Sequence, residues 1–147
     1  HTNLAPVFAG DTLAQLATKG TAAIELVAEV PALRLTGKRC TEPIWAGGRL
    51  QVAGKQRVVF EIEGLGGLMG SSSDAPGTIS ARVIDPTGAD TPAPVWTKVD
   101  GSNRRVGTIA LAGQSEVGVE LAFDVDCAPI SVMFGNPDMR IHAIRAE

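Results

Sequence analysis

Two tryptophans stand beside predicted turns or loops. Trp45 precedes Gly47-Gly48, and Trp96 follows Pro92-Ala93-Pro94. An exposed indole stacks on a sugar ring and donates its N–H to hydroxyls. A buried one fills a core, the commoner fate of a lone tryptophan, and both outcomes stay open for each residue. Asp124 and Asp126 are two residues apart, so a strand sets both carboxylates on one face. Paired acids hydrolyse a glycoside only when they flank the scissile bond at a set separation. Glu120 shares that face and the opposite one is apolar, so the pair reads as the solvated side of an amphipathic strand. A calcium site shared with Asp100 or Asn103 is the lesser expectation, because calcium wants six to eight oxygens. Ser71-Ser72-Ser73 offers hydroxyls, but a Gly-x-Ser-x-Gly elbow would need glycine where Asp74 stands. The run from Gly64 to Gly70 has Met69 where a dinucleotide fingerprint needs its third glycine. Gly37-Lys38 is followed by Arg39, not the Ser or Thr of a P-loop. These residues point to binding rather than catalysis.

His1 and His142 are the only histidines. An N-terminal histidine chelates copper through its amine and imidazole. With a second histidine this resembles the histidine brace of lytic polysaccharide monooxygenases, which implies copper at His1 and His142. Imidazole suits copper, but two histidines are a thin ligand set. The plainer expectation for His142 is an exposed strand position beside Arg140. Cys40 and Cys127 are far apart and form no Cys-x-x-Cys pair. An even count of two fits one disulfide, and hence a secreted, periplasmic or cell-surface protein. The alternative is two buried thiols.

The elements that must position these groups follow from periodicity. Val58, Phe60 and Ile62 alternate with charged neighbours. Val117, Val119, Leu121, Phe123 and Val125 do so over a longer run. A spacing of two puts the apolar set on one face of a strand. Shorter alternations are Leu33/Leu35, Ile79/Ala81/Val83, Ile109/Leu111, Ile130/Val132/Phe134, Met139/Ile141/Ala143 and Ile24/Leu26/Ala28. Turn chemistry separates them, as at Gly47-Gly48, Asp85-Pro86-Thr87-Gly88 and Gly135-Asn136-Pro137-Asp138. The pattern predicts an all-β antiparallel sandwich or jelly roll of about eight or nine strands. One short helix is expected near the start, capped at Asp11 or Thr12, with Leu13, Leu16 and Ala17 as its stripe and Gly20 as its end. Residues 64–77 and 85–94 are longer than hairpins need, and such loops are where function concentrates.

Residues 49–62, preceded by Leu33-Arg34-Leu35-Thr36-Gly37 and closed by Met139-Arg140-Ile141-His142-Ala143-Ile144-Arg145-Ala146-Glu147, resemble the strand order of galactose-binding-like jelly rolls. Those β-sandwiches occur as carbohydrate-binding modules. The resemblance supports the fold more than any ligand. On the residues themselves, a non-catalytic, glycan- or surface-facing accessory domain is expected, binding through Trp96, Trp45, Arg140, His142, Asp124 and Asp126. Gln56-Arg57 stands where the family commonly has an aromatic, and the chain has no tyrosine, which counts against a well-developed sugar platform. The alternative is a disulfide-linked structural subunit of a pilus or surface assembly, pairing through edge strands.

The whole chain supports one domain over residues 1–147, long enough to hide roughly 70% of its unfolded surface. Hydrophobic residues make up 44% and charged ones 20%, which is globular rather than disordered. A net charge of −3 with scattered Lys and Arg lacks the electrostatic footprint of a nucleic-acid binder. No apolar run approaches the roughly 18–20 residues of a membrane helix. Beginning with His rather than Met, the sequence reads as a processed mature form or an excised piece.

Overall fold

A computed structural model describes residues 2–4, 13–65, 79–123 and 136–147. Eleven strands and no helix occur among them. The strands are β1 (Thr2–Leu4), β2 (Leu13–Lys19), β3 (Thr21–Val27), β4 (Val30–Thr36), β5 (Ile44–Gln51), β6 (Arg57–Gly64), β7 (Ile79–Ile84), β8 (Val95–Lys98), β9 (Arg104–Ala110), β10 (Glu116–Phe123) and β11 (Asp138–Ala146). They form two antiparallel sheets. The first has the order β1-β2-β5-β10-β7 and the second β3-β4-β11-β6-β9-β8. The fold is therefore an all-β sandwich.

Alternation builds the core. Val58, Phe60 and Ile62 of the second sheet meet Val117, Val119, Leu121 and Phe123 of the first, all buried. Leu33, Leu35, Met139, Ile141 and Ile144 complete the same cluster. Burying such residues contributes about 25 cal/mol per Å² of apolar surface.

Several expectations are corrected here. The N-terminal helix does not form: residues 13–19 are strand β2, paired with β1 and β5. A stretch of barely three turns gains little as a helix. As a strand it buries Leu16 and Thr18 and supplies backbone partners to β5. Gly20, expected to end the helix, turns the chain from one sheet into the other at a φ of 100°. Gly47-Gly48, read as a turn, lies inside β5. On β11 the pairing shifts between Ile141 and Ala143, so Ile144 rather than Ala143 reaches the core. His142 sits in that bulge and is only 6% exposed, not an open strand position. Residues 130–134, predicted as a strand, lie outside the described residues, as does most of the 64–77 loop.

Candidate functional site

Among the described residues, the outer face of the first sheet carries one large aromatic side chain, Trp45, with small and charged residues around it. Trp45 alternates with the core residues Ile44 and Ala46, so its indole points outward, half-buried. Across the strands it lies in the row Lys19, Trp45, Ala122, Ser80. The next row is Ala17, Gly47, Glu120, Arg82. The six-membered ring of Trp45 leans over Gly47 so closely that a Cβ there would collide with its outer carbons. That explains a glycine in mid-strand. The indole is laid over its own strand rather than standing off it.

Polar groups pin this ring. Its Nε1 donates to Glu120 Oε2 at 3.2 Å, and Glu120 also pairs with Arg82. Lys19 Nζ lies 5.6 Å from the ring centroid, within cation–π range. Further along the face, Gln51 donates to Glu116, and Arg49 lies 3.8 Å from the same carboxylate. The result is an aromatic ring flanked by cations, carboxylates and an amide. Such a surface stacks a flat apolar face and donates to, or accepts from, hydroxyls around it.

Trp96 has a different place. It pairs with Gly107 across β8 and β9, packs over that glycine at 2.7–2.9 Å from where a Cβ would stand, and sits against the core cluster. It plugs the open edge of the sandwich.

Arg140 and His142 lie on the outer face of the second sheet, in a chain of ion pairs. Arg34 forks onto Asp138 at 3.0 and 2.8 Å and reaches Glu25 at 3.2 Å. Arg140 donates to Glu25 at 3.1 and 3.0 Å and to Glu63 at 2.8 Å. His142 Nε2 is 2.9 Å from the same Glu63 oxygen. The hydrogen bond from Arg140 lowers the Glu25 carboxyl, burial opposes it, and the hydrogen bond from Arg34 with the charges of both arginines keeps the balance below the ordinary range. Burial drives His142 down, more than Glu63 draws it up, and nearby Arg104 adds to the fall. At neutral pH the imidazole is therefore neutral, donating its Nε2 proton to Glu63. The described polar contacts of Arg140 and His142 stay within the chain.

Trp45 and the Arg140–His142 pair sit on opposite outer faces, separated by a core about 10 Å thick, so they form no single site. The loop of residues 85–94 frames a third feature, a cavity of about 400 Å³ that includes Arg82, Asp85 and Thr91. Asp85 there accepts from Thr87 at 2.6 and 2.8 Å and from Gln114 at 2.6 Å, which lowers its pKa and shapes the turn. His1, Asp124, Asp126 and Cys127 lie outside the described residues. Among the described residues no group of three or more His, Cys, Asp or Glu is placed to hold a metal ion. Cys40, at a φ of 67°, is not a free thiol.

The partners of Trp45 were not singled out from sequence. Lys19 and Arg82 are distant in the chain and meet Trp45 or Glu120 only through strand pairing. The one local signal is Trp45-x-Gly47, the spacing that puts a ring over a bare backbone.

No protein-family profile and no curated protein matches this sequence. Among solved structures, the chain is similar to TmCBM27, a carbohydrate-binding module studied for specific mannan recognition. The identity is 10% and the TM-score 0.45, over 89% of this chain and 86% of that one. A likeness at that score bears on neither ligand nor site.

Proposed function

We propose that the protein is a non-catalytic, extracytoplasmic glycan-binding domain whose contact surface is the outer face of the first sheet, centred on Trp45. The observation that carries this is the Trp45 indole, laid over Gly47 and fixed by Glu120 on the outer face of the sheet. Fixing the ring in advance removes ordering cost on binding, and tryptophan is the residue type most often found at the energetic centre of an interface. Lys19, Arg82 and Gln51 stand at the rim to meet hydroxyls. In this reading Cys40 pairs with Cys127, which suits a secreted, periplasmic or surface location; the support is that Cys40 is not free.

Affinity electrophoresis on immobilised polysaccharides tests the proposal. Trp45→Ala is expected to weaken retention at least about tenfold, equivalent to ~1.4 kcal/mol, while melting changes little. Trp96→Ala is expected to lower the melting temperature and leave binding in the folded fraction. A wild-type protein retained by no polysaccharide sinks the proposal.

A second reading, a subunit that pairs with another surface protein through a sheet edge, is favoured by β3. This edge strand leaves Ile24 and Leu26 exposed, and Val30 follows them across the hairpin.

A further inference from the structure

The Trp45 face continues across the sheet to the cavity beside β7. β5 lies next to β10, and β10 next to β7, at the end of the first sheet's order. Gly47, Glu120 and Arg82 stand in one row across these strands, and the Trp45 ring leans over Gly47 into that row. Glu120 ties the row together. One of its carboxylate oxygens accepts from Trp45 Nε1 at 3.2 Å, and the other pairs with Arg82 Nε. Arg82 is thus fixed by the same carboxylate that fixes the ring. Its side chain is still 67% exposed, which leaves guanidinium donors facing solvent.

Arg82 also lines the cavity of about 400 Å³ between β7 and the loop of residues 85–94. That size falls within the usual range of ligand clefts, about 300–1,000 Å³. Ile84 lines it too and is 41% exposed. It stands two residues on from Arg82 in β7, so both point to the outer face. Thr91, Pro92 and Pro94 line the cavity from the loop. An apolar strip beside a cation suits a sugar ring, whose C–H face packs on carbon while its hydroxyls accept from charged donors. The loop wall is set in advance. Thr91 Oγ1 donates to the Val83 carbonyl at 2.6 Å, which fastens the loop to β7. The Gly88 N–H closes the turn on the Asp85 carbonyl at 2.9 Å, and the Asp85 carboxylate is held by Thr87 and Gln114. A wall fixed before the ligand arrives lowers the ordering cost of binding.

Given the glycan reading of Trp45, on which this rests, we infer that the bound glycan runs across the strands, from Trp45 past Glu120 and Arg82 into the cleft under the 85–94 loop. Adjacent strands lie about 4.8 Å apart, so β5 and β7 are separated by about 10 Å. A ring stacked on Trp45 does not also fill the cleft. The ligand is therefore a linear oligosaccharide of three or more units, read along its chain rather than at a single terminal sugar. Trp45 stacks one ring, Arg82 donates to hydroxyls at the crossing, and Ile84 with the prolines meets the apolar face of a later ring.

Isothermal titration calorimetry with di- and hexasaccharides tests this, the series being taken from whichever of cellulose, mannan, xylan or galactan retains the wild type. The hexasaccharide is expected to bind at least about tenfold more tightly than the disaccharide, because two contacts on one chain act together. Trp45→Ala is expected to weaken both. Thr91→Val, which cuts the loop's tie to β7, and Ile84→Ser, which removes the apolar strip, are each expected to reduce the hexasaccharide's advantage. The backbone amide resonances of Ala89 and Thr91 in the wild-type protein are expected to move with the hexasaccharide and not with the disaccharide, a readout that needs no variant to fold. Equal affinity for the two lengths, or Ala89 and Thr91 resonances that stay still under the hexasaccharide, overturns the inference and leaves the Trp45 reading standing. Retention by no polysaccharide overturns the Trp45 reading and this inference together.

Discussion

Glu63 accepts hydrogen bonds from both Arg140 and His142 in the bulge of β11. Burial pushes its carboxyl up, but His142 and Arg140 outweigh that and hold it below the usual range. His142 is shifted down from its ordinary value of 6.5. On acidification the unfolded chain takes up a proton at His142 near 6.5 that the folded chain still refuses. The unfolded state then binds more protons, so stability rises with pH and falls as pH drops below 6.5. The loss levels off once pH passes His142's lower folded value. The lowered carboxyls of Glu25, Glu63 and Glu147 act in a second window: their stabilisation is present above the ordinary carboxylate pKa and is lost as pH falls through their depressed folded values. Urea midpoints measured against pH should therefore fall in two stages. His142→Gln, which keeps a donor toward Glu63, should remove the upper stage and leave the lower; an unchanged profile would refute the neutral, buried histidine. The bulge that buries His142 was not legible in the Met139/Ile141/Ala143 alternation, because one extra residue reverses the parity of everything after it.

At the scale of elements, β3 shows what alternation leaves open. Ala22, Ile24 and Leu26 share one side of the strand. Ala22 packs against the core, but Ile24 is 48% and Leu26 72% exposed. The cover supplied by the opposite sheet runs out along the strand. Beyond it the hairpin turns through Ala28 and Glu29, both at positive φ. An edge strand whose only charge, Glu25, is already engaged by Arg34 and Arg140 lacks the lysine or proline that usually protects an edge. Sedimentation velocity across a concentration series is expected to show self-association that Leu26→Lys abolishes, with stability changed by no more than about 0.5 kcal/mol. A wild type that stays monomeric throughout would mean the edge is passive. Strand β2 makes the converse point. Leu13, Leu16 and Ala17 fit a helical stripe, and only pairing with β5 decides for a strand.

Across the whole molecule the two outer faces differ in kind. The second sheet presents a chain of ion pairs, while the first adds an aromatic ring, Trp45, to its ion pairs. Each is written in strands distant in sequence, so neither face exists until the sandwich closes. A Cys40–Cys127 bridge would restrain that closure from the unfolded side and contribute about 4–5 kcal/mol in the chain-entropy model. Guanidinium unfolding with and without a thiol reductant checks this: the midpoint should fall on reduction, and an unchanged midpoint would exclude the bridge.

The sequence by itself determined the sandwich. Period-two alternation in β6, β7 and β10 and the turn chemistry between strands follow from local sterics and from the need to bury one face. It also marked Trp45 and Trp96 as the aromatic candidates. Only the tertiary structure decided between them, setting Trp96 against the core and Trp45 on an outer face. The same closure buried Arg105 on the inner side of β9. Pairing and burial arise between segments remote in the chain, and a side chain's fate depends on what the opposite sheet covers, which no local spacing encodes.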